Sequence, residues 1–116
     1  LVNEERAQQG LPALKPDPEM TAVARAHARD MFARGYFSHY TPERKDPFDR
    51  MQASGVRFLT AGENLALGQT LQICHRGLMN SPGHRANILH ASFGRLGIGV
   101  LDGGLYGLMI AQEFRN

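Results

Sequence analysis

The chain has 116 residues, of which 42% are hydrophobic and 21% are charged, and 13 basic residues against 11 acidic ones give a net charge of +2. This composition is ordinary for a globular protein and predicts a single packed domain over residues 1–116 rather than a disordered chain. The small basic excess is spread along the sequence, so nucleic acid is excluded as a partner. No stretch approaches the roughly 20 apolar residues of a transmembrane helix, and we expect a monomer.

Cys74 is the only cysteine, so the chain cannot form an internal disulfide. A lone cysteine gives no indication of an oxidising compartment. Its neighbour His75 cannot readily deprotonate it, because adjacent helix residues do not face each other. We interpret Cys74 as a buried structural thiol.

Residues 1–6 resemble the interior of a helix without a start signal, which predicts an excised or processed domain. The next helix begins at Asp17, which is followed by a first-turn proline and apolar residues at helical spacing, and it ends at Gly35. His27 falls on the apolar face of this helix. That position favours a hydrogen-bonded core histidine over a ligand.

A loop containing Phe37-Ser38-His39 precedes a short helix over residues 46–55 and a strand over residues 60–68. In this strand Glu63 shares a face with leucines and therefore points inward. A buried carboxylate must be paired, hydrogen-bonded or protonated, so Glu63 is a candidate site residue. The alternative is a structural carboxylate that holds loop amides.

Two further helices begin at Thr70 and at Ser81, and both residues are expected to be N-caps. His84 falls in the first turn of the second helix, where the helix dipole favours a neutral ring that can bind a metal or accept a proton. The alternative is a histidine that only bonds to a neighbouring loop. In the same helix Arg85 is expected to form a salt bridge and Asn87 to bond to nearby backbone.

The last two strands are predicted over residues 95–101 and 105–114, joined by a glycine-containing turn. Tyr106 is among the residues expected to alternate on one face of the second strand. Gly97 and Gly99 alternate on the first strand. Because they lack side chains, they allow a helix or another backbone to approach that face closely.

These motifs, in this order and spacing, resemble the CAP superfamily of cysteine-rich secretory, antigen 5 and pathogenesis-related proteins, especially the bacterial SCP-like extracellular domains. The resemblance rests on Asn3–Arg6, Ala26–Ala28, Phe37–His39, Gly62–Ala66, Asn80–Leu89, Leu96–Val100 and Gln112–Phe114. It implies an α+β fold, an α-β-α sandwich with a small central antiparallel sheet between helical layers. It also implies an extracellular or cell-envelope location.

The resemblance further implies a cleft with two histidines and two acidic residues, in which the histidines of some members bind zinc or a similar divalent ion. His39, Glu63 and His84 match three of these positions, and only the fold can bring together residues that are 24 and 21 positions apart. The second acidic residue has no counterpart at residues 78–81. This departure counts against a mechanism that requires two carboxylates.

Two arrangements of the three matched residues remain open. They could together supply three ligands to Zn²⁺ or another divalent cation, which leaves one position for water. If Glu63 instead bonds to one ring, only His39 and His84 are left as metal ligands, and the cation is weakly bound. We favour the second arrangement.

Three functions are compatible with these residues. The first, which we rank highest, is a secreted module that binds a small molecule, lipid, glycan, peptide or divalent metal. The second is a metal- or histidine-dependent hydrolase acting on peptides or cell-wall material, with His39 or His84 as catalytic base and Glu63 orienting it. It lacks an evident nucleophile, because Ser38 is adjacent to its histidine and Ser81 is expected to cap its helix, but a metal-bound water could take that role. The third is a structural envelope domain in which all three residues only hold loops.

Overall fold

The computed structural model describes residues 1–116. The helices are α1 (Val2–Gln8), α2 (Pro18–Arg34), α3 (Pro47–Ala53), α4 (Leu71–Met79) and α5 (Pro82–Ile88). The strands are β1 (Lys15–Pro16), β2 (Ala61–Gly68), β3 (Arg95–Asp102) and β4 (Leu108–Arg115). None of the helices has the length and apolarity needed to cross a membrane.

The four strands form one sheet in the order β1-β3-β4-β2. The β2–β4 and β4–β3 pairs are antiparallel, and each extends over eight residue pairs. Helix α2 packs on one face of the sheet, and α1, α4 and α5 pack on the other. The α+β fold and its α-β-α layering are confirmed, with one difference: β1 is parallel to β3, although only over two residue pairs.

Helix α2 has the predicted boundaries. The Asp17 side chain accepts hydrogen bonds from the Glu19 and Met20 amides, and Gly35 ends the helix in the left-handed conformation with φ of 69°. The helix lies directly on β3: a Cβ atom on Gly97 would overlap the backbone nitrogen of Thr21, and one on Gly99 would overlap that of Arg25. The predicted role of the two glycines is therefore confirmed.

The connection between β3 and β4 is longer than predicted. Gly104–Tyr106 form a turn of 3₁₀ helix, and β4 begins only at Leu108. Gly104 and Gly107 have positive φ values of 64° and 87°, which direct the chain away from the sheet between them. Tyr106 is 79% exposed as a result, so the prediction that it lies in the strand was wrong.

Candidate functional site

A hydrogen bond from the buried residue His27 anchors the loop that contains His39. The His27 ring is buried, and its Nε2 donates a hydrogen bond to the Ser38 carbonyl oxygen at 2.9 Å. Burial lowers the pKa of His27, and the charge of Arg50 lowers it further. His27 is therefore the core histidine that the sequence predicted. It also fixes the backbone beside His39.

Glu63 holds the ring of His39 in one orientation. His39 Nδ1 lies 2.7 Å from Glu63 Oε1, and an ionised carboxylate can only accept, so the proton is on Nδ1. In the neutral ring the other nitrogen, Nε2, is then free to offer its lone pair. Because the His39 side chain is 45% exposed, this lone pair is accessible from solvent.

Arg50, from α3, donates to both carboxylate oxygens of Glu63. Its Nη1 donates to Oε2 at 2.7 Å and its Nη2 donates to Oε1 at 3.0 Å, in a bidentate pair. Nη2 also donates to the His39 carbonyl oxygen at 2.7 Å. Arg50 thus fixes both the carboxylate and the backbone of the histidine that the carboxylate orients.

The charge on Glu63 is stabilised in spite of its burial. Burial alone would raise the pKa of this carboxyl group, but hydrogen bonds with His39, Glu113 and Arg50 hold the pKa at about 2. For Arg50, burial alone would lower the pKa, whereas the bonds to Glu63 and the neighbouring carboxylates raise it. The pair is therefore ionised at neutral pH.

A second carboxyl group, which the sequence analysis missed, lies beside this pair. Glu113 is fully buried and is directly opposite Glu63 in the β2–β4 register. Its nearest cation is Arg50 Nη1 at 3.6 Å, and neither of its oxygens has a hydrogen-bond donor if both carboxyls are ionised. Burial and the neighbouring Glu63 raise the pKa of Glu113 well above its usual value. The neutral acid then donates a hydrogen bond to Glu63.

A sequence signal for Glu113 did exist. It alternates along β4 with Met109 and Ala111, so the argument that turned Glu63 inward applies equally to it. The two acidic residues lie opposite each other on paired strands, and their mutual contact depends on the register. Arg50 gave no such signal, because its partners come from distant segments.

His84 lies in the first turn of α5, as predicted, but Ser81 does not cap that helix. The Ser81 side chain makes no bond to a helix amide, and its Oγ lies 2.9 Å from His84 Nδ1. The expected capping role was therefore wrong. Since a hydroxyl group can donate or accept, this contact is compatible with a proton on either ring nitrogen of His84.

His84 is half-buried, and its environment favours the neutral ring. Burial lowers its pKa, and the positive charge of His39 lowers it further. Both histidines lie beside neighbouring residues of β2, because His39 bonds to Glu63 and the His84 carbonyl accepts from Asn64. A neutral ring at pH 7 is the form that binds a metal or accepts a proton.

An amide network attaches α5 to the sheet at this point. Asn87 Nδ2 donates to the Asn64 side-chain oxygen at 2.9 Å and to the Glu63 carbonyl at 3.2 Å. Asn64 Nδ2 in turn donates to the His84 carbonyl at 3.0 Å. The expected backbone bond of Asn87 is confirmed. Arg85 is exposed and forms no salt bridge, so that expectation was wrong.

The geometry does not support a metal centre with three protein ligands. No group of three His, Cys, Asp or Glu side chains is arranged to hold an ion, and both oxygens of Glu63 are engaged. His39 and His84 are left as the two candidate ligands. Neither they nor Glu63 line the apolar cavity of about 460 Å³ that lies between the end of α2 and the start of β4.

Comparisons with known proteins agree with this architecture. A sequence model of the "Cysteine-rich secretory protein family" matches residues 1–112. The uncharacterized protein YkwD of Bacillus subtilis (strain 168) is 43% identical over 105 residues, which is 90% of this chain and 41% of that protein. The uncharacterized membrane protein YlbC of the same organism is 36% identical over 101 residues, which is 86% of this chain and 29% of that protein.

Solved structures show the same fold. The crystal structure of an extracellular protein containing an SCP domain from Bacillus anthracis str. Ames superposes with a TM-score of 0.89 and 36% identity, covering 99% of this chain and 37% of that one. An outer surface protein from Borrelia burgdorferi has a TM-score of 0.92 at 21% identity, covering 99% of this chain and 86% of that one. The chain spans less than half the length of the curated relatives it matches.

Proposed function

This chain belongs to the cysteine-rich secretory protein (CAP) family, and we propose that it is an extracellular binding module with a site formed by His39 and His84. The site takes a divalent cation such as Zn²⁺, held loosely, and presents it to a small molecule, lipid, glycan or peptide. The location outside the cell is supported by the relative from Bacillus anthracis, which is described as an extracellular protein.

The observation that carries the proposal is the way in which Nδ1 of each ring is occupied. Glu63 accepts from His39 Nδ1, and Ser81 Oγ contacts His84 Nδ1. When His84 Nδ1 donates to Ser81 Oγ and both rings are neutral, the Nε2 atoms of His39 and His84 offer lone pairs to a ligand. Hydrogen-bonded partners of this kind orient the histidines of metal sites and raise their basicity.

Two imidazoles give weak binding, since zinc in proteins normally has three or four protein ligands. The remaining coordination positions stay available to water or to a ligand. The bound cation would supply a Lewis acid that attracts an anionic or carbonyl oxygen. Glu63, Arg50 and Ser81 contribute by holding the two rings in place.

The test is a zinc titration of the metal-free protein followed by the histidine ring resonances. We expect His39 and His84 to shift at millimolar zinc or below while His90, an exposed histidine of the same chain, stays unchanged. The His90→Ala protein is the matched control and should bind zinc like the wild type. Unperturbed signals of His39 and His84 at millimolar zinc would remove the metal from the proposal.

A second measurement separates binding from a purely structural role. His84→Ala should leave the melting temperature within a few degrees of the wild type, because a half-exposed ring contributes little packing, while zinc binding is lost. A large fall in melting temperature without any loss of binding would favour the structural envelope domain.

One contact favours hydrolysis as a second candidate function. Because Ser81 is not used as a helix cap, its hydroxyl is available to donate to His84 Nδ1, as a nucleophile does to its base. Labelling with a fluorophosphonate probe tests this candidate, with Ser81→Ala as the control. Wild-type protein that is labelled no more than Ser81→Ala argues against it.

A further inference from the structure

The outer edge of the sheet at β3 is unpaired over most of its length. β1 covers only its beginning, where the Lys15 amide donates to the Gly94 carbonyl at 2.9 Å and the Asp17 amide donates to the Leu96 carbonyl at 3.0 Å. The Asp17 carbonyl then accepts from the Thr21 amide instead. At this point α2 begins, and the chain no longer pairs with the edge of β3.

The alternation of an antiparallel ladder determines which groups remain free. Both polar backbone groups of a residue point to the same side of such a strand. Leu96 faces the outer edge, so Ile98, Val100 and Asp102 do so as well, while Gly97 and Gly99 bond to β4. The amides and carbonyls of Ile98 and Val100 therefore have no strand beside them.

Two cavities continue the line of β1 along this edge. The first, of about 430 Å³, begins at Pro16, where β1 ends, and reaches Ile98. The second, of about 330 Å³, is lined by Val100 and Leu101. Arg25 of α2 borders both cavities. The space beside β3 is thus open where a further strand would lie.

Two arginines of α2 that form no salt bridge lie beside this space. Arg25 and Arg29 are exposed, and both line the second cavity. Neither takes part in any of the eight salt bridges or in any side-chain hydrogen bond. Their guanidinium groups give the edge a positive charge on the face of the sheet that α2 covers.

The spacing of the two arginines fits alternate residues of an extended peptide. α2 runs along β3 in the same direction, since Gly97 lies under Thr21 and Gly99 lies under Arg25. Four helical residues advance about 6 Å, and two strand residues advance about 6.6 Å. Acidic side chains at positions i and i+2 of an added strand would therefore meet Arg25 and Arg29.

The opposite face of the same edge is apolar. Ile98 and Val100 point away from α2 and are 38% and 46% exposed, and Leu1 lies beside Ile98 in the first cavity. Residues of an added strand that face this way would pack against them, which suits β-branched side chains.

We propose that the β3 edge binds an extended peptide in which acidic residues alternate with β-branched ones, and that the peptide adds a fifth strand to the sheet. Backbone hydrogen bonds to Ile98 and Val100 supply affinity, and pairing with Arg25 and Arg29 selects the acidic residues. This surface is separate from the histidine site. A second copy of the chain fits less well, because antiparallel pairing of two β3 edges would bring the arginines of both copies together.

The experiment uses the synthetic peptide acetyl-Glu-Val-Glu-Val-Glu-amide and the ¹⁵N-labelled protein. We expect the amides of Ile98 and Val100 to shift and to exchange more slowly with solvent when the peptide is added. The amides of Gly97 and Gly99, which already bond to β4, should keep their protection. Perturbation confined to His39 and His84 would overturn the assignment of the surface.

Two variants test the two parts of the interface. Arg25→Glu/Arg29→Glu changes only exposed side chains, so it should fold, bind the acidic peptide at least tenfold more weakly and prefer a Lys-Val-Lys-Val-Lys peptide. Val100→Pro removes one outward amide and should weaken binding about tenfold, whereas the control Val100→Thr should stay within about twofold.

Three results would overturn the proposal. Equal affinity of the wild type for the acidic and basic peptides would exclude charge selection by the arginines. Unchanged binding by the folded Val100→Pro protein would exclude strand addition. Concentration-dependent dimerisation with protected β3 amides in the absence of peptide would show that a second copy occupies the edge.

Discussion

Arg6 and Arg50 are both charged residues held inside the protein, but they bond to different kinds of partner. Arg6 is 1% exposed and donates to four backbone carbonyl oxygens, those of Pro12, Ile88, His90 and Phe93. Arg50 donates to Glu63 and to the carbonyl of His39, a partly exposed histidine. The first arginine joins segments of backbone, whereas the second supports a side chain that faces solvent.

The two surroundings also differ in how fully their polar groups are satisfied. All three nitrogens of Arg6 have partners. Beside Arg50, its own Nε has no partner, and Glu113 is satisfied only as the neutral acid that donates to Glu63. Buried polar groups are normally paired, and groups with strongly shifted pKa values, such as Glu113, are concentrated at functional sites. This contrast supports a structural role for Arg6 and a site role for Arg50.

The largest expected effect is that of Arg6→Met. The substitution leaves four backbone carbonyl oxygens without their donor, and each buried unpaired group costs about 1–3 kcal/mol. We expect a loss of about 3–5 kcal/mol in the free energy of unfolding, measured by urea denaturation. A loss below about 1 kcal/mol would mean that Arg6 does not join these segments.

Glu63→Gln should have a smaller effect on stability and a clear effect on the site. It removes the charge that pairs with Arg50, for which we expect a cost of about 2–3 kcal/mol at pH 7. It also replaces the charged acceptor of His39 Nδ1 with a neutral amide oxygen, which orients the ring and raises its basicity less strongly, so zinc affinity should fall about tenfold or more. Calorimetry measures the affinity. Unchanged zinc binding by the folded variant would show that His39 does not need this orientation.

The acid dependence of stability should follow His27. Its pKa is lowered in the folded state, so the protonated form favours unfolding and stability falls as pH drops below the unfolded value of about 6.5. Through this one group the free energy of unfolding can change by at most about 1.4 kcal/mol per pH unit. The amide of glutamine in His27→Gln can still donate to Ser38. In this variant the unfolding midpoint should depend less on pH between about pH 6.5 and 5. If stability depends as steeply on pH in His27→Gln as in the wild type, other groups cause the dependence. His84→Ala is the comparison variant, because the pKa of His84 is also lowered.

Glu113→Gln should have the smallest effect, and of opposite sign. The pKa of Glu113 is higher in the folded protein than in the unfolded chain. The stabilisation that this shift contributes is therefore complete below the unfolded pKa and is lost as pH rises through the folded pKa. A glutamine is already neutral and can still donate to Glu63, so we expect the variant to be more stable than wild type by about 1 kcal/mol at pH 8. At pH 4 the two proteins should unfold alike. Destabilisation at pH 8 would show that Glu113 is ionised and pairs with Arg50.

Sequence reasoning was sufficient for the boundaries of α2 and for the inward direction of Glu63. These features depend on neighbouring residues, namely the cap at Asp17, the left-handed Gly35 and the alternation of β2. Gly97 and Gly99 likewise predicted a close approach to β3, because a strand residue without a side chain leaves room for another backbone.

The meeting of distant polar groups, in contrast, was settled by tertiary packing. Glu63 contacts Glu113 through the β2–β4 register, and Arg50 reaches both from another helix. Ser81 contacts His84 instead of capping α5, a choice between two local bonds that sequence spacing cannot distinguish. The bare edge of β3 also depends on where β1 ends and α2 begins. Packing sets such contacts between distant segments, because side chains there must satisfy one another once water is excluded.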